Sequence, residues 1–283
     1  MPELPEVETV RRGLASRLQS FVIHDVDVLR DRAVASPGGP HALCLGLQGQ
    51  KVGHWSRRGK YLMAQLHEPQ TGTCNGVWGV HLRMTGQFQW HPTQTDPCRH
   101  TRVRLWNEQG HELRFVDMRS FGEMWFVPQN VPIDSVITGL QRLGPEPFSE
   151  EFNATYLQQK LRGSTRTIKA ALLDQAVVAG AGNIYADESL FASAIAPHRK
   201  AGELRLAELE RLCISLVHVL EISIGAGGTT FSDFRDLEGV NGNYGGQASV
   251  YRRTGQPCLV CGNPIERKRL GGRSSHWCSE CQS

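Results

Sequence analysis

Apolar residues along this chain change their period near its midpoint. In roughly the first two-fifths they come in short runs, Val77–Leu82, Val103–Trp106, Glu112–Val116 and Met124–Val127, separated by Gly, Asn and Pro. Runs of this length that alternate or stay apolar predict strands, and their succession predicts an antiparallel sandwich or barrel. Between Pro128 and Pro147 four prolines, with Gly139 and Gly144, interrupt any periodicity and predict a linker. Beyond it the spacing turns helical. Glu150–Leu161, Ile168–Val178 and Ile184–Ile195 are expected helices, and Glu203–Ile224 is the longest amphipathic stretch. Leu204, Leu209, Leu212, Leu216 and Leu220 form its buried stripe. Gly225–Gly246 is rich in glycine without periodicity and reads as a mobile loop. The first six residues, Met-Pro-Glu-Leu-Pro-Glu, carry two helix-breaking prolines and read locally as a floppy terminus.

A length of 283 residues suits two domains, or one domain with an appended module. A hydrophobic content of 40% describes a globular protein, and no apolar run approaches a membrane span. The N-terminus lacks the basic-then-apolar layout of a secretory signal, so an intracellular protein is expected. The net charge of +3 is unevenly placed. From Tyr251 to Ser283 six basic residues (Arg252, Arg253, Arg267, Lys268, Arg269, Arg273) face two acids, leaving +4 there and −1 on the other 250 residues. Lys160, Arg162, Arg166 and Lys169 form a second acid-free basic run, and Lys51, Arg57, Arg58 and Lys60 a third. Localised positive stripes on a nearly neutral body favour a nucleic-acid partner.

Four of the eight cysteines are scattered: Cys44, Cys74, Cys98 and Cys213. The others, Cys258, Cys261, Cys278 and Cys281, form a C-x2-C-x16-C-x2-C array. An intracellular setting argues against disulfides, and the paired spacing fits a four-cysteine Zn2+ site. Each C-x2-C puts two thiolates on one tight turn, and two turns close a tetrahedron. A redox C-x-x-C would not come twice in a basic terminal hairpin. Four protein ligands leave no open position, so the metal is structural.

Three further segments could carry chemistry. If Met1 is removed, Pro2 becomes a terminal secondary amine beside the carboxylate of Glu3. With reference pKa values of about 7.8 and 10.4, roughly a third of a terminal amine is neutral near pH 7.5, against about 0.1% of a lysine, so it is the better imine-forming nucleophile. Gly180–Asn183 leads into a predicted helix, where free N–H groups attract an anion or Asn183 simply caps the helix. His81–Gly86 and Asp117–Gly122 each end a strand with an apolar tip, an arginine and a glycine. Such tips could wedge into a base stack and hydrogen-bond an orphaned base.

Taken in order, Pro2–Thr9, Arg57–Tyr61, His81–Gly86, Asp117–Gly122, Leu143–Pro147, Gly180–Glu188 and the cysteine array resemble the formamidopyrimidine-DNA glycosylase family over essentially the whole chain. The resemblance implies an α+β multidomain fold. Residues 2–130 would be an N-terminal antiparallel β-sandwich, 131–147 a linker, 148–245 a helix–two-turn–helix domain and 246–283 a C-terminal four-cysteine zinc finger. It implies a bifunctional glycosylase and AP lyase that excises 8-oxoguanine and formamidopyrimidines from double-stranded DNA and cleaves the abasic strand by β,δ-elimination. The expected protein is a monomer, cytoplasmic at a bacterial nucleoid or else organellar.

Carried over residue by residue, the resemblance makes Pro2 the nucleophile at C1′ and Glu3 the acid that helps open the sugar. Lys60 and Arg273 would hold phosphates around the lesion and take part in elimination. Asn183 would bind a phosphate, and His100, Arg166 and Lys169 would lie at the DNA surface. Met84, Arg119 and Phe121 would fill the gap left by the everted base, Arg119 facing the orphaned cytosine. Thr229 and Thr230 would belong to the segment closing over the lesion. Ser120 stands where a basic residue is common, Ser164 and Thr165 stand where lysines are common, and Phe231–Gly246 departs from the better-known pattern. The rival readings are an endonuclease VIII-like enzyme for oxidised pyrimidines and a non-enzymatic zinc-containing binder of damaged DNA. Leu4 and the Met84, Arg119, Phe121 trio favour the purine-directed branch.

Overall fold

The computed structural model describes all residues except 230–236, 238, 240 and 241. The chain folds as two compact units, Met1–Gln141 with Gly227–Asn243, and Arg142–Ala226 with Tyr244–Ser283.

The first unit opens with α1 (Leu4–Arg17), β1 (Asp25–Val28) and α2 (Gly39–Leu47). It continues with β2 (Lys51–Arg58), β3 (Tyr61–His67), β4 (Cys74–His81), β5 (Gly86–His91), β6 (Thr101–Trp106), β7 (Glu112–Asp117), β8 (Glu123–Pro128) and the one-turn α3 (Ile133–Val136). The strands form two four-stranded sheets, ordered β1-β6-β7-β5 and β2-β3-β4-β8, with antiparallel neighbours throughout. This is a sandwich, one of the two architectures that the alternation predicts and the one that the family resemblance implies. On β6, Thr101, Val103 and Leu105 are buried while the residues between them are half-buried, the two-residue period of a strand with one face inward. A chain of rings fills the core: Trp55 meets Trp78 at 5.3 Å, Trp78 meets Phe88 at 5.9 Å, and Phe88 meets Phe115 at 5.4 Å. Because Trp55 and Trp78 belong to one sheet and Phe88 and Phe115 to the other, the rings join the two layers.

The terminus is helical, contrary to what its prolines suggest locally. Pro5 stands in the first turn of α1, where a missing N–H has no intrahelical partner to lose. Glu3 and Glu6 form a reciprocal capping box, with the Glu3 N–H donating to Glu6 Oε2 at 2.8 Å. Leu4, Val7, Val10 and Leu14 lie on one face and are buried, each contributing about 1.5–3 kcal/mol.

The second unit holds α4 (Ala154–Leu161), α5 (Ile168–Leu173), α6 (Asn183–Ala192), α7 (Leu206–Gly225) and the hairpin β9 (Glu266–Leu270)–β10 (Arg273–Trp277). All four helices fall on the predicted stretches, with shifted ends. Asn153 caps α4 by accepting from the Tyr156 N–H, so that helix starts later than Glu150. The stretch Ile168–Val178 is helical only to Leu173, because Asp174 Oδ1 accepts from the Ala176 N–H and turns the chain. On α7, Leu209, Leu212, Leu216 and Leu220 are buried as the stripe requires, while Leu204 precedes the helix. Of the glycine-rich segment, Tyr244–Gln247 forms a 3-10 turn, and most of Phe231–Asn241 lies outside the described residues. Among the described residues no helix is long and apolar enough to cross a membrane.

Candidate nucleic-acid interface and reactive terminus

Pro2 and Glu3 are both buried, beneath a half-exposed Met1. Glu6, one turn into α1, explains their order. Its Oε2 takes the Glu3 N–H, and its Oε1 takes the Thr229 N–H at 2.7 Å. One buried carboxylate therefore fixes both the end of the chain expected to react and the start of the segment expected to close over a lesion. Gly228 sits at φ +80°, and a Cβ there would lie 3.0 Å from Glu6 Oε1, so the strap approaches this closely only as glycine. Thr230 lies outside the described residues.

Lys60 follows Gly59 in the turn between β2 and β3 and is buried, although it ends a basic run. Arg57 donates to the Gly59 carbonyl at 2.9 Å and shapes that turn. His81, at the end of β4, lies edge-on to Tyr61 with ring centroids 4.5 Å apart. Its Nδ1 accepts from the Arg83 N–H at 3.0 Å, which leaves the proton of the neutral ring on Nε2. Burial, then the positive charges of Arg83 and Lys60, push its pKa down to about 3.

Two strand-end turns present the expected gap-filling trio. Met84 and Phe121 are exposed apolar side chains, and the Arg119 guanidinium lies 4.9 Å from the centre of the Phe121 ring. Arg83 and Ser120, both at φ +53°, make the two turns sharp without glycine at those positions. An Arg83–Glu123 ion pair of 2.5 Å ties one turn to the strand that follows the other. His100 is bonded into the same region: its carbonyl accepts from the Asp117 N–H, and its Nε2 accepts from Arg99.

In the second unit Asn183 and Lys169 meet at one carbonyl. Ser274 O accepts from Lys169 Nζ at 2.7 Å and from Asn183 Nδ2 at 3.1 Å, and the neighbouring Arg273 is exposed at the head of β10. Lys169, expected at the DNA surface, is instead 1% exposed, its ammonium paired with Asp187 at 2.7 Å. A lysine this deep requires such a partner, and removing either one costs on the order of 3–5 kcal/mol. Lys169 therefore links Asp187 on α6 to the Ser274 carbonyl of the hairpin. Asp187 also accepts from the backbone N–H and Nδ1 of His276, so α6 and the hairpin are joined through one acid. Glu188 beside it accepts the N–H groups of Ser249, Val250 and Tyr251, which anchors the approach to the zinc module. Burial raises its pKa. Asn183 does not cap α6, because Gly182 occupies that place and Asn183 begins the helix. The turn before it is held by Gln175, which accepts from the Gly180 N–H and donates to the Ala181 carbonyl. Arg166 pairs with Asp174 at 2.7 Å at a half-open surface, an ion pair that a phosphate can displace at little cost.

The four ligand sulfurs of Cys258, Cys261, Cys278 and Cys281 lie within 4.8 Å of one another. Two of the separations are 3.4 and 3.9 Å, far beyond a disulfide of about 2.05 Å and close to the edge of a tetrahedron built on Zn–S bonds of about 2.3 Å. The donor set fits one structural Zn2+ with every position filled.

Sequence reasoning missed the acids behind these groups: Glu6, Asp117 and Asp187. Each sits inside one of the ordered motifs, and the signal was an acid placed among residues that the pattern buries. For Asp117 it is the polar end of a strand buried throughout.

Three family models match successive parts of the chain. The family model described as the formamidopyrimidine-DNA glycosylase N-terminal domain matches residues 1–124, and that of the formamidopyrimidine-DNA glycosylase H2TH domain matches residues 143–235. A zinc finger found in FPG and IleRS matches residues 255–283. A formamidopyrimidine-DNA glycosylase of Parasynechococcus marenigrum is 67% identical, with all of both chains covered. Among solved structures, a Lactococcus lactis FPG mutant in complex with Fapy-dG-containing DNA is 32% identical, with full coverage of both chains and a TM-score of 0.90. A MutM complex with DNA containing carbocyclic 8-oxo-G is also 32% identical and fully covered, with a TM-score of 0.88.

Proposed function

This chain belongs to the formamidopyrimidine-DNA glycosylase family, and from that membership we propose that its reaction runs through the amine of Pro2. The protein is a base-excision repair enzyme, a DNA glycosylase and AP lyase for oxidised purines, and its partner is lesion-bearing DNA. With Met1 removed, the neutral Pro2 nitrogen attacks C1′, the bond from C1′ to the damaged base breaks with its electron pair going to the base, and the proton that the nitrogen gives up neutralises the departing base. Glu3 delivers a proton to the sugar ring oxygen, the ring opens, and C1′ becomes an iminium carbon. The iminium withdraws electrons from C2′, so a proton leaves there and the 3′ phosphate departs. A second elimination releases the 5′ phosphate, and water frees Pro2 from the sugar remnant.

The observation that carries this reading is the buried Pro2–Glu3 pair on a capped helix whose Glu6 also grips Thr229. A nucleophile held by its own helix loses little entropy when it engages the sugar. Lys60, Asn183 and Arg273 suit phosphates near the lesion, and Arg166 and His100 suit phosphates further out. Met84, Arg119 and Phe121 suit the vacated stack, where extrusion of a base costs a few kcal/mol and costs least for a damaged one. The enzyme acts as a monomer on chromosomal DNA in the bacterial cytoplasm.

Borohydride reduction on duplex containing 8-oxoguanine opposite cytosine tests the nucleophile. The expected result is a covalent adduct on the peptide that begins at Pro2, absent from Pro2→Gly and from protein extended ahead of Pro2. An adduct on any other peptide, or full activity of Pro2→Gly, overturns the assignment. Excision of 8-oxoguanine opposite cytosine should also exceed that of thymine glycol, and the reverse order would move the chain to the pyrimidine-directed reading.

A further inference from the structure

We propose that Asp117, together with Thr85, is a positioning residue that sets the gap-filling side chains as one rigid unit. The inference rests on the gap-filling role of Met84, Arg119 and Phe121 proposed above. Asp117 is fully buried at the end of β7 and holds four groups with its carboxylate. Oδ1 accepts from the Thr85 hydroxyl and from the Arg119 N–H at 3.1 Å. Oδ2 accepts from the Phe121 N–H at 2.8 Å and the Gly122 N–H at 2.7 Å. The Thr85 hydroxyl oxygen in turn accepts from the Arg119 N–H at 3.1 Å. The backbone of Asp117 adds two bonds, its N–H to the His100 carbonyl at 2.9 Å and its carbonyl from Arg102 Nε at 2.8 Å.

Two turns from different strands are thus tied through a single side chain, and His100 is tied to it through the backbone. Met84 stands next to Thr85, so the wedge on one turn is registered against Arg119 and Phe121 on the other. The geometry suits a rigid device. Phe115 lies 2.7 Å from a Cβ placed on Gly86 and 2.4 Å from one placed on Gly122, so both turns close on the same ring with no room for a side chain. Ser120 holds φ +53° between two residues whose N–H groups the carboxylate takes, and that bonding compensates for an uncommon backbone angle. A wedge that must enter a base stack while an arginine reads the orphaned base requires both to arrive in one fixed spacing.

Thr85→Val keeps the shape of the side chain and removes the hydroxyl, whereas Thr85→Ser keeps the hydroxyl. Steady-state excision of 8-oxoguanine opposite each of the four bases is to be measured for both, with thermal unfolding and with elimination at a preformed abasic site. Thr85→Val should raise KM for the lesion duplex about tenfold and reduce the preference for cytosine over adenine by a similar factor, while kcat at the abasic site stays within about twofold. Thr85→Ser should restore both, and Asp117→Asn should change both in the same direction and further. The proposal is overturned if Thr85→Val discriminates as the parent does, or if every rate falls only in proportion to the folded fraction. Arg119→Ala separates the two levels. If it keeps the preference for cytosine, the gap-filling reading fails and takes this proposal with it. If it loses the preference while Thr85→Val retains it, the tie alone is wrong.

Discussion

His81 shows how a single residue's surroundings limit its chemistry. Buried beside Tyr61, with Arg83 and Lys60 as positive neighbours, it is held neutral down to about pH 3. In the free protein it therefore takes no part in any ionisation of the activity profile between pH 5 and 8, and the limbs of that profile belong to other groups. Its folded pKa lies below the ordinary value of 6.5, so the native state binds fewer protons than the unfolded chain between those limits. The contribution to stability is complete above pH 6.5 and is lost as the pH falls towards 3. In His81→Asn the amide oxygen still accepts from the Arg83 N–H. Denaturant unfolding should show the parent losing up to a few kcal/mol more than this variant between pH 6.5 and 3. Parallel curves for the two proteins would show that His81 is not held neutral.

The element scale shows where the chain's pattern is readable and where a competing interaction decides. The N-terminus of α7 is organised by Glu208, which accepts from the Arg205 N–H and pairs with Arg199 at 2.5 Å. The Arg199 hydrogen bond chiefly holds its pKa down, to about 2. Because the folded value is depressed, the stability it confers is present above the ordinary carboxylate pKa of 4.5 and disappears as the pH falls through 2. Glu208→Gln should lower Tm by ~2–5 °C at neutral pH, with the gap closing between pH 4.5 and 2 in calorimetric scans. A gap that is constant over this range would assign the effect to the cap alone.

The α7 stripe, the β6 alternation and the cysteine spacing are all legible in the chain, because periodicity and ligand geometry are local properties. The helical start of α1 is masked, since Pro5 reads as a breaker until the Glu3–Glu6 capping box places it in a first turn. The end of α5 at Leu173 depends on an Asp174 side chain bonding its own turn. The place of Lys169 depends on Asp187, eighteen residues on, which no spacing rule connects to it. At the candidate site the residues that would touch DNA are readable from their motifs, whereas the partners that the buried acids hold are readable only from the fold.

For the whole molecule, a net charge of +3 is small, so binding must come from a few placed cations more than from a general field. The zinc module matters in this respect beyond its own stability. The hairpin β9–β10 has five residues on each strand, too few to persist alone, and the thiolate cage closes its base. That hairpin carries Arg273, and its Ser274 carbonyl is the point at which Asn183 and Lys169 converge. Removing zinc should therefore disable the phosphate binding proposed for α6 as well as that proposed for the hairpin. A strong chelator, or Cys278→Ser, should weaken lesion-duplex binding about a hundredfold. The slope of log K against log salt should also flatten by about 0.9 for each phosphate no longer engaged. The β-sandwich, whose core of Trp55, Trp78, Phe88 and Phe115 owes nothing to the metal, should keep its unfolding transition. Fluorescence anisotropy across a salt series, with hydrogen exchange on both units, distinguishes the cases. Should the zinc-free protein bind with undiminished affinity and slope, the hairpin would not be what holds Arg273 and Asn183 against the backbone. If the sandwich melts with the metal's removal, the zinc module has a wider structural role than its own bonding indicates.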